Sequence, residues 1–154
     1  MRDMNLIAPL IKPETVLLDQ SFTSKKKLFE HAAEVFARVH GLKASEVFAS
    51  LFDRERLGST ALGHGIAIPH GRIKGLADAS GAFYRLSTPL EFDAPDNQPV
   101  RLCFILLVPK DANERHLQIL GELAQLFGDE AMRARLLAAT THEELIALLA
   151  AWNG

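Results

Sequence analysis

The spacing of apolar and polar side chains predicts helices in the first and last thirds of the chain. Apolar residues recur at intervals of three and four from Ser24, a favoured helix N-cap, to about His40. A second helix is predicted from near Ser45 to about Arg56. Further helices are predicted over about residues 112–127, 130–138 and 143–150. The last of them has two candidate N-caps, each followed three residues later by a glutamate, Thr140 and Thr141.

Strand patterns lie between these helices. The nearly continuous apolar run from Val100 to Val108 is typical of a central strand covered on both faces. Shorter strands are predicted at residues 16–18, 66–68 and 80–86. The segments 58–65 and 89–99 are rich in Gly or in Pro, Asp and Asn, which predicts loops. Strands interleaved with helices indicate one α/β domain over residues 1–154, with helices on both faces of the long strand.

Composition narrows the class of protein. The net charge of −2 gives no electrostatic reason to expect a nucleic acid as partner. The three lysines at residues 25–27 are predicted to be a solvated helix end. No stretch reaches the roughly 20 apolar residues of a membrane helix, and no secretory signal is visible. The single cysteine, Cys103, excludes an internal disulfide, and its apolar strand predicts a buried, inert thiol. We therefore expect a reduced, cytoplasmic protein without direct membrane insertion.

Histidines are the candidates for chemistry, and three of the six have ordinary structural interpretations. His31 falls on the polar face of its predicted helix, which favours solvated surface. His40 falls at a helix C-terminus, where a cation suits the dipole. His142 falls in the first turn of the last helix and is expected to be exposed. None of these lies at metal-ligand spacing with another His, Cys or acid, so we expect no metal.

His70 has a different setting. It follows Pro69, which lacks an N–H and is predicted to end the strand at residues 66–68. A residue just past the carboxyl end of a strand lies where α/β folds build their sites. Gly71 lets a backbone or a ligand approach closely, and Arg72 adds a positive charge. The alternative is a loop histidine that bonds a backbone carbonyl.

The preceding loop carries groups suited to phosphate. Arg54 and Arg56 supply guanidinium groups, while Ser59 and Thr60 supply hydroxyls among glycines that leave backbone N–H groups open. A nucleotide-binding loop is rejected, because His64 and the glycine after it stand where Lys and Ser/Thr are required. We therefore favour a site that neutralises a phosphoryl group.

His116 is the second candidate. It lies near the start of the helix that follows the long strand, again on the carboxyl side of the sheet. Its position at the edge of the apolar stripe is also compatible with a structural histidine. Together with His70 it becomes a plausible donor to phosphoryl oxygens or to the attacking imidazole.

A longer pattern extends from Arg54–Thr60 through Gly63–Arg72. The segment resembles the active-site signature of type-2 enzyme IIA domains of the bacterial phosphoenolpyruvate-dependent phosphotransferase system, in its fructose–mannitol branch. The resemblance covers about residues 6–150, and within the family it is greatest to the nitrogen-regulatory enzymes IIA. The matching stretches are Arg54–Thr60, Gly63–Arg72, Phe92–Ala94, Asp96–Val100, Leu107–Pro109 and His116–Leu117.

The resemblance implies a mechanism as well as a fold. The fold would be a three-layer α/β sandwich around a mixed sheet. His70 would become a phosphohistidine through Nε2, the tele position, with Arg54 and His116 assisting. Assisting contacts are also expected from a second group of residues near the phosphoryl group, Ser59, Thr60 and Gly71. His64 is left outside the core of the site, because the resemblance gives it no fixed role.

The resemblance also implies partners. The phosphoryl donor would be an HPr-like phosphocarrier protein, and no cofactor, metal or nucleotide would be required. Leu57 and Leu62 are expected to form a transient interface with it. Downstream, the nitrogen-related branch implies partner proteins, such as transporters or sensor kinases, that respond to the phosphorylation state. The alternative is a sugar-specific enzyme IIA that passes the phosphoryl group to a IIB transport component.

Overall fold

The apolar run near the middle of the chain forms the central strand of a mixed sheet. The structure is a computed structural model, and it describes residues 5–153. The six strands are β1 (Val16–Gln20), β2 (Ala61–Gly63), β3 (Ile66–Ala67), β4 (His70–Ile73), β5 (Ser80–Leu90) and β6 (Val100–Pro109). The five α-helices are α1 (Lys25–His40), α2 (Ala44–Leu57), α3 (Glu114–Gly128), α4 (Glu130–Ala138) and α5 (His142–Ala151).

The order and direction of the strands confirm the mixed sheet. The order is β1-β5-β6-β3-β2, and β4 also pairs with β6. β5 runs antiparallel to β6, whereas β3 and β4 run parallel to it. β4 and the last residues of β6 therefore lie side by side and end at the same edge of the sheet. The chain that leaves β6 towards α3 thus passes close to β4 and His70.

Side chains of β6 alternate between two apolar cores, one on each face of the sheet. Phe104 and Leu106 pack with α3, α4 and α5, whereas Cys103 and Ile105 pack with α1 and α2. This double coverage is the reason for the unbroken apolar run in the sequence. It confirms the predicted three-layer sandwich and the buried Cys103, and burial raises the pKa of that thiol.

β3 ends at Ala67, close to the predicted end at residue 68, but the chain continues along β6 after Pro69 as β4. Ile66 pairs with Leu102 and His70 pairs with Leu106, which keeps the same register on both sides of the proline. Pro69 cannot donate to the ladder, but its carbonyl still accepts the Leu106 N–H at 2.9 Å. Pro69 therefore separates β3 from β4 without changing the direction of the chain, and His70 is the first residue of β4.

Two other segments that were predicted to be loops contain regular structure. Residues 61–63 form β2, which turns into β3 through Gly63, His64 and Gly65, all with positive φ. The Asp96 carboxylate accepts the His64 N–H at 2.8 Å and so holds this turn. β5 extends to Leu90, beyond its predicted end at residue 86. Short, glycine-rich pairings of this kind carry no apolar alternation that a sequence pattern could detect.

The helix termini agree closely with the predictions. Ser24 accepts the Lys27 N–H as the N-cap of α1, which ends at His40. Of the two candidate caps of α5, Thr141 is the one whose side chain accepts the N–H of the glutamate three residues on. The first turn of α3 is capped by Asn113, so that helix begins two residues later than predicted.

Gly81 in β5 lies in a tightly packed part of the apolar core, where a side chain has no room. A Cβ there would lie 2.6 Å from a ring carbon of Phe104 and 3.3 Å from Leu10. We predict that Gly81→Ala lowers the free energy of unfolding by about 1–3 kcal/mol, measured by urea denaturation. The matched control is Gly121→Ala in the exposed face of α3, where a Cβ meets nothing within 4 Å. That change should raise stability by up to about 1 kcal/mol, and equal effects of the two substitutions would contradict the packing argument.

Candidate functional site

A cavity of about 430 Å³ opens where α2 ends, β4 begins and α3 begins. It gathers side chains that are far apart in the sequence but were predicted to act together. Four predicted site residues line it, namely Arg54, His70, Gly71 and His116. The remaining lining residues are Ser50, Asp53, Leu57, Arg72, Leu106, Val108, Ala112, Leu117 and Leu120.

The His70 ring is fixed by a hydrogen bond to the backbone two residues before it. Its Nδ1 lies 2.9 Å from the carbonyl oxygen of Ile68. A carbonyl can only accept, so Nδ1 carries the proton and donates it. The neutral ring then keeps its lone pair on Nε2, and that atom is the nucleophile that the ring can offer. The hydrogen bond to a backbone carbonyl, which was the alternative interpretation of His70, is therefore the contact that leaves Nε2 free to react.

The surroundings of His70 favour its neutral form. Partial burial of the ring lowers the pKa of His70, and the positive charges of Arg54 and Arg72 lower it further. The hydrogen bond to Ile68 and the charge of Glu55 oppose these effects by raising the pKa. The net direction is downward from the ordinary histidine value, so the imidazole is mostly uncharged and nucleophilic at neutral pH.

Two guanidinium groups border the cavity. Arg54 lies in the last turn of α2, where its Nη1 donates to the carbonyl of Gly58 at 2.9 Å. Arg72 projects from β4, and its Nη1 lies 3.4 Å from the carbonyl oxygen of Lys110. Each of these bonds occupies only one of the five N–H groups of a guanidinium. Both side chains can therefore still bind an anion in the cavity.

His116 is held in the complementary tautomer. Its Nδ1 accepts the backbone N–H of Asn113 at 3.1 Å, in a reciprocal capping arrangement at the start of α3. Because Nδ1 accepts, the proton of the neutral ring lies on Nε2. His70 thus keeps a lone pair on Nε2, and His116 keeps an N–H on Nε2.

The hydroxyls of Ser59 and Thr60 are directed elsewhere. Ser59 donates to the carbonyl of Phe92, and the buried Thr60 hydroxyl donates to the Glu55 carboxylate at 2.6 Å. Neither residue lines the cavity. The structure therefore does not bring these two hydroxyls to the site, although the sequence identified them as polar groups suited to phosphate.

Gly71 lines the cavity, and a packing contact explains why it is a glycine. A Cβ at this position would lie 2.3 Å from the Oγ of Ser50 in α2. The same Ser50 hydroxyl donates to the Arg72 carbonyl at 3.0 Å, tying α2 to β4. The glycine thus lets the helix that carries Arg54 approach the strand that carries His70.

Exposed apolar side chains flank the cavity. Leu57 is 84% exposed and Leu117 is 61% exposed, and both line its opening. Leu62, which was predicted to accompany Leu57, is 46% exposed but is not among the lining residues. Sequence reasoning overlooked Leu117 as a surface residue, although it is the neighbour of His116 in the quoted pattern.

Two histidines depart from their sequence interpretations. His31 is not solvated surface, because its Nδ1 lies 2.7 Å from the buried Tyr84 hydroxyl and burial lowers its pKa. Burial and the nearby Lys12 also lower the pKa of His40, which disfavours the cation expected at that helix end. His142 is exposed, as predicted.

Residues 5–153 also bear on metal binding and membrane insertion. In this part of the chain no cluster of three or more His, Cys, Asp or Glu side chains is arranged to hold a metal ion. None of its helices combines the length and the apolar character needed to span a bilayer.

Known proteins are similar to this chain in sequence and in fold. The profile of the family described as "Phosphoenolpyruvate-dependent sugar phosphotransferase system, EIIA 2" matches residues 9–152. A nitrogen regulatory protein of Klebsiella oxytoca is 44% identical over 127 residues, covering 82% of this chain and 78% of its own length. A nitrogen regulatory protein of Bradyrhizobium diazoefficiens is 38% identical over 144 residues and covers 94% of both chains.

Solved structures extend the similarity. The crystal structure of the nitrogen regulatory protein IIA-Ntr from Neisseria meningitidis has a TM-score of 0.89 and 46% identity, covering 94% of this chain and 99% of that one. The crystal structure of IIA mannitol from Escherichia coli has a TM-score of 0.77 and 25% identity, covering 91% and 99%.

The titration of His70 provides a test of the site. We predict that an NMR titration gives His70 a pKa below the ordinary value of about 6.5. The folded chain then binds this proton less tightly than the unfolded chain. The stabilising contribution of neutral His70 is therefore complete above about pH 6.5 and is lost as the pH falls below it. Arg54→Gln should raise the pKa, since it removes a positive charge; a wild-type pKa above 6.5 would refute this description.

Proposed function

This chain belongs to the type-2 enzyme IIA family of the phosphoenolpyruvate-dependent phosphotransferase system, and we propose that it is a phosphoryl-relay protein of the nitrogen-related branch. His70 accepts a phosphoryl group from the phosphohistidine of an HPr-like carrier protein, and partner proteins respond to the resulting state. The observation that carries the proposal is the His70 ring, whose Nδ1 is bound to Ile68 while its Nε2 lone pair remains available.

The transfer is an in-line displacement at phosphorus. The Nε2 lone pair of His70 forms the new N–P bond, and the electrons of the old N–P bond return to the donor imidazole. The proton on Nδ1 stays in its hydrogen bond to Ile68 throughout the attack. Such a step requires little covalent assistance, so positioning and charge neutralisation carry most of the catalysis.

The remaining cavity groups suit a phosphoryl group in transit. Arg54 supplies a planar guanidinium for the phosphoryl oxygens, and Arg72 adds a second positive charge. His116 supplies its Nε2–H as a further donor, because its Nδ1 is already engaged with Asn113. Gly71 contributes by letting α2 approach β4. No cofactor, metal or nucleotide takes part in this scheme.

The donor must reach His70 with its own side chain, which requires an accessible site and a protein surface around it. The exposed Leu57 and Leu117 supply apolar contacts at the opening of the cavity. An interface of this kind falls in the small class typical of transient encounters between signalling partners. The relay would act in the cytoplasm, the location expected from the sequence.

Two downstream roles are compatible with this chemistry. The regulatory role is supported by the higher identity of this chain to nitrogen regulatory proteins than to sugar-specific components. The identity is 38–44% to five such proteins and 35% to a homolog, against 32% to two sugar-specific components. In that role, a charge of about −2 on His70 alters which partner surface fits. The alternative is a fructose- or mannitol-type enzyme IIA that delivers the phosphoryl group to a IIB transport component. The likeness to IIA mannitol keeps this second role in consideration.

Phosphoryl labelling tests the relay directly. After incubation with an isotopically phosphorylated HPr-like carrier, the wild-type protein should carry acid-labile, base-stable label, as a phosphohistidine does. His70→Ala should carry none, because the accepting nitrogen is absent. Label that persists in His70→Ala would refute the assignment. Chasing the labelled protein with a IIB component separates the two roles, since only a sugar-specific enzyme IIA should lose its label rapidly.

Arg54 and Arg56 allow a matched test of charge in the cavity. We predict that Arg54→Gln slows phosphoryl transfer by about 10²-fold, the usual cost of losing one transition-state donor, with little change in stability. Arg56→Gln should transfer at close to the wild-type rate, because Arg56 pairs with Asp53 on the exposed face of α2 and does not line the cavity. Rapid-quench measurements give both rates, and similar losses in the two variants would show that only overall charge matters.

A further inference from the structure

We propose that Glu55 is a positioning residue that fixes both His70 and Arg54 through the backbone of the loop after α2. Glu55 does not line the cavity and would not touch the phosphoryl group. The inference rests on the proposed relay for its effect on transfer, but its effect on the His70 ring can be measured independently of that function.

Glu55 is a buried carboxylate with all its contacts in place. The residue is only 7% exposed, although it lies in the last turn of α2 next to the exposed Arg56. Its Oε1 accepts the Thr60 hydroxyl at 2.6 Å, and its Oε2 accepts the Thr60 N–H at 3.1 Å. Its Oε2 also lies 3.2 Å from the Nζ of Lys25. A buried charge requires such partners, so the carboxylate and the loop hold each other in one arrangement.

A chain of hydrogen bonds leads from this carboxylate to the reactive ring. The carbonyl of Thr60, the residue that Glu55 binds, accepts the N–H of Ile68 at 3.1 Å. The carbonyl of Ile68 in turn accepts the Nδ1–H of His70 at 2.9 Å. The bond from Thr60 thus helps to position residue 68, and the carbonyl of that residue selects the His70 tautomer.

A second connection leads to the arginine. Arg54 donates to the carbonyl of Gly58, two residues before Thr60. The Gly58 N–H is itself bonded to the Glu55 carbonyl at 3.2 Å. Both ends of the segment 58–60 are therefore attached to Glu55, one through its main chain and one through its carboxylate. This attachment keeps the Gly58 carbonyl in position to orient the guanidinium.

Lys25 completes the arrangement from a different helix. Its Nζ lies 5.2 Å from the centre of the Phe92 ring and 3.7 Å from the Asp93 carboxylate, and its side chain is only 23% exposed. The lysine run that was predicted to be a solvated helix end therefore begins with a residue that is partly buried against the loop. The ion pair gives the Glu55 carboxylate a counter-charge without directing a positive group into the cavity.

The competing explanation is that the buried pair formed by Glu55 and Thr60 only stabilises the fold. A purely structural pair would change the free energy of unfolding but leave the His70 tautomer and the transfer rate unaltered. A positioning pair would change both. The charged and titratable groups that face His70 across the cavity are Asp53 and Arg54 from α2, Arg72 from β4 and His116 from α3. The charge of Glu55 acts on the ring from behind the loop and raises its pKa.

The experiment compares matched substitutions at the two ends of the contact. Thr60→Val removes the hydroxyl bond and keeps the shape of the side chain, whereas Thr60→Ser restores the hydroxyl. Glu55→Gln leaves one carbonyl oxygen where two carboxylate oxygens now accept from Thr60, and Glu143→Gln in the exposed first turn of α5 changes the net charge equally. Nitrogen-15 NMR of the imidazoles reports the His70 tautomer, and rapid-quench labelling reports transfer from a phosphorylated HPr-like carrier.

We expect Glu55→Gln and Thr60→Val to populate the Nε2–H tautomer of His70 and to slow transfer by about 10-fold or more, because the reacting nitrogen is no longer held in position. Glu55→Gln should also lower the pKa of His70, because it removes a negative charge. Thr60→Ser should recover most of the lost rate, and Glu143→Gln should match the wild type. If Glu55→Gln does not fold, the Thr60 pair alone decides.

Three results would overturn the inference. They are a purely Nδ1–H ring in folded Thr60→Val or Glu55→Gln, a wild-type rate in these variants, and an equal loss of rate in Glu143→Gln. A wild-type protein that takes up no label would instead refute the proposed relay. In that case a tautomer shift in Thr60→Val would still support the positioning role of Glu55.

Discussion

The hydrogen bond from the His70 ring to the Ile68 carbonyl is the interaction on which the site depends. It exists because residues 66–73 follow one line along β6 with Pro69 in the middle. Pro69 has no N–H to donate to the ladder. The carbonyl of Ile68, the residue before it, accepts its hydrogen bond from the His70 ring. A central strand with an unbroken register thus gives the ring a fixed support, and fixed groups react without costly reorganisation.

Under the proposed relay, the charges around this ring meet two requirements. A phosphoryl acceptor needs a neutral imidazole before transfer and positive groups near the phosphoryl oxygens during it. Arg54 and Arg72 satisfy both, since their charges lower the pKa of His70 and remain available to an anion. Glu55 moderates the effect from outside the cavity, where it cannot repel the incoming phosphoryl group. The loop that Thr60 anchors keeps Glu55 behind the cavity, whereas Asp53, which lines it, is paired with Arg56.

Much of this architecture could be predicted from the sequence, because the main signals are periodic or local. The apolar run of β6 and the helical spacing after Ser24 indicated the layers, and the setting of His70 indicated the site. The short pairings of β2 and β4 carry no such period. The type of a residue shows that its hydroxyl can form a hydrogen bond, but it does not show which group is the partner. Thr60 bonds to Glu55, and the counter-charge of Glu55 comes from Lys25, 30 positions earlier in the chain. Partners of that kind are set by tertiary packing.

The geometry also restricts how partners could share this protein under the proposed relay. With Nδ1 held by Ile68, a phosphoryl group could only join Nε2, at the cavity bordered by Leu57 and Leu117. The carrier that delivers the group must cover this opening, and a partner that senses its charge directly must cover it as well. Electrostatic forces between exposed groups fade within about 8–10 Å at physiological salt, so a direct reading from a distant surface would be weak. Donor and regulated partner should therefore compete for the same face, which makes the lifetime of the phosphohistidine, rather than simultaneous binding, the quantity that carries the signal.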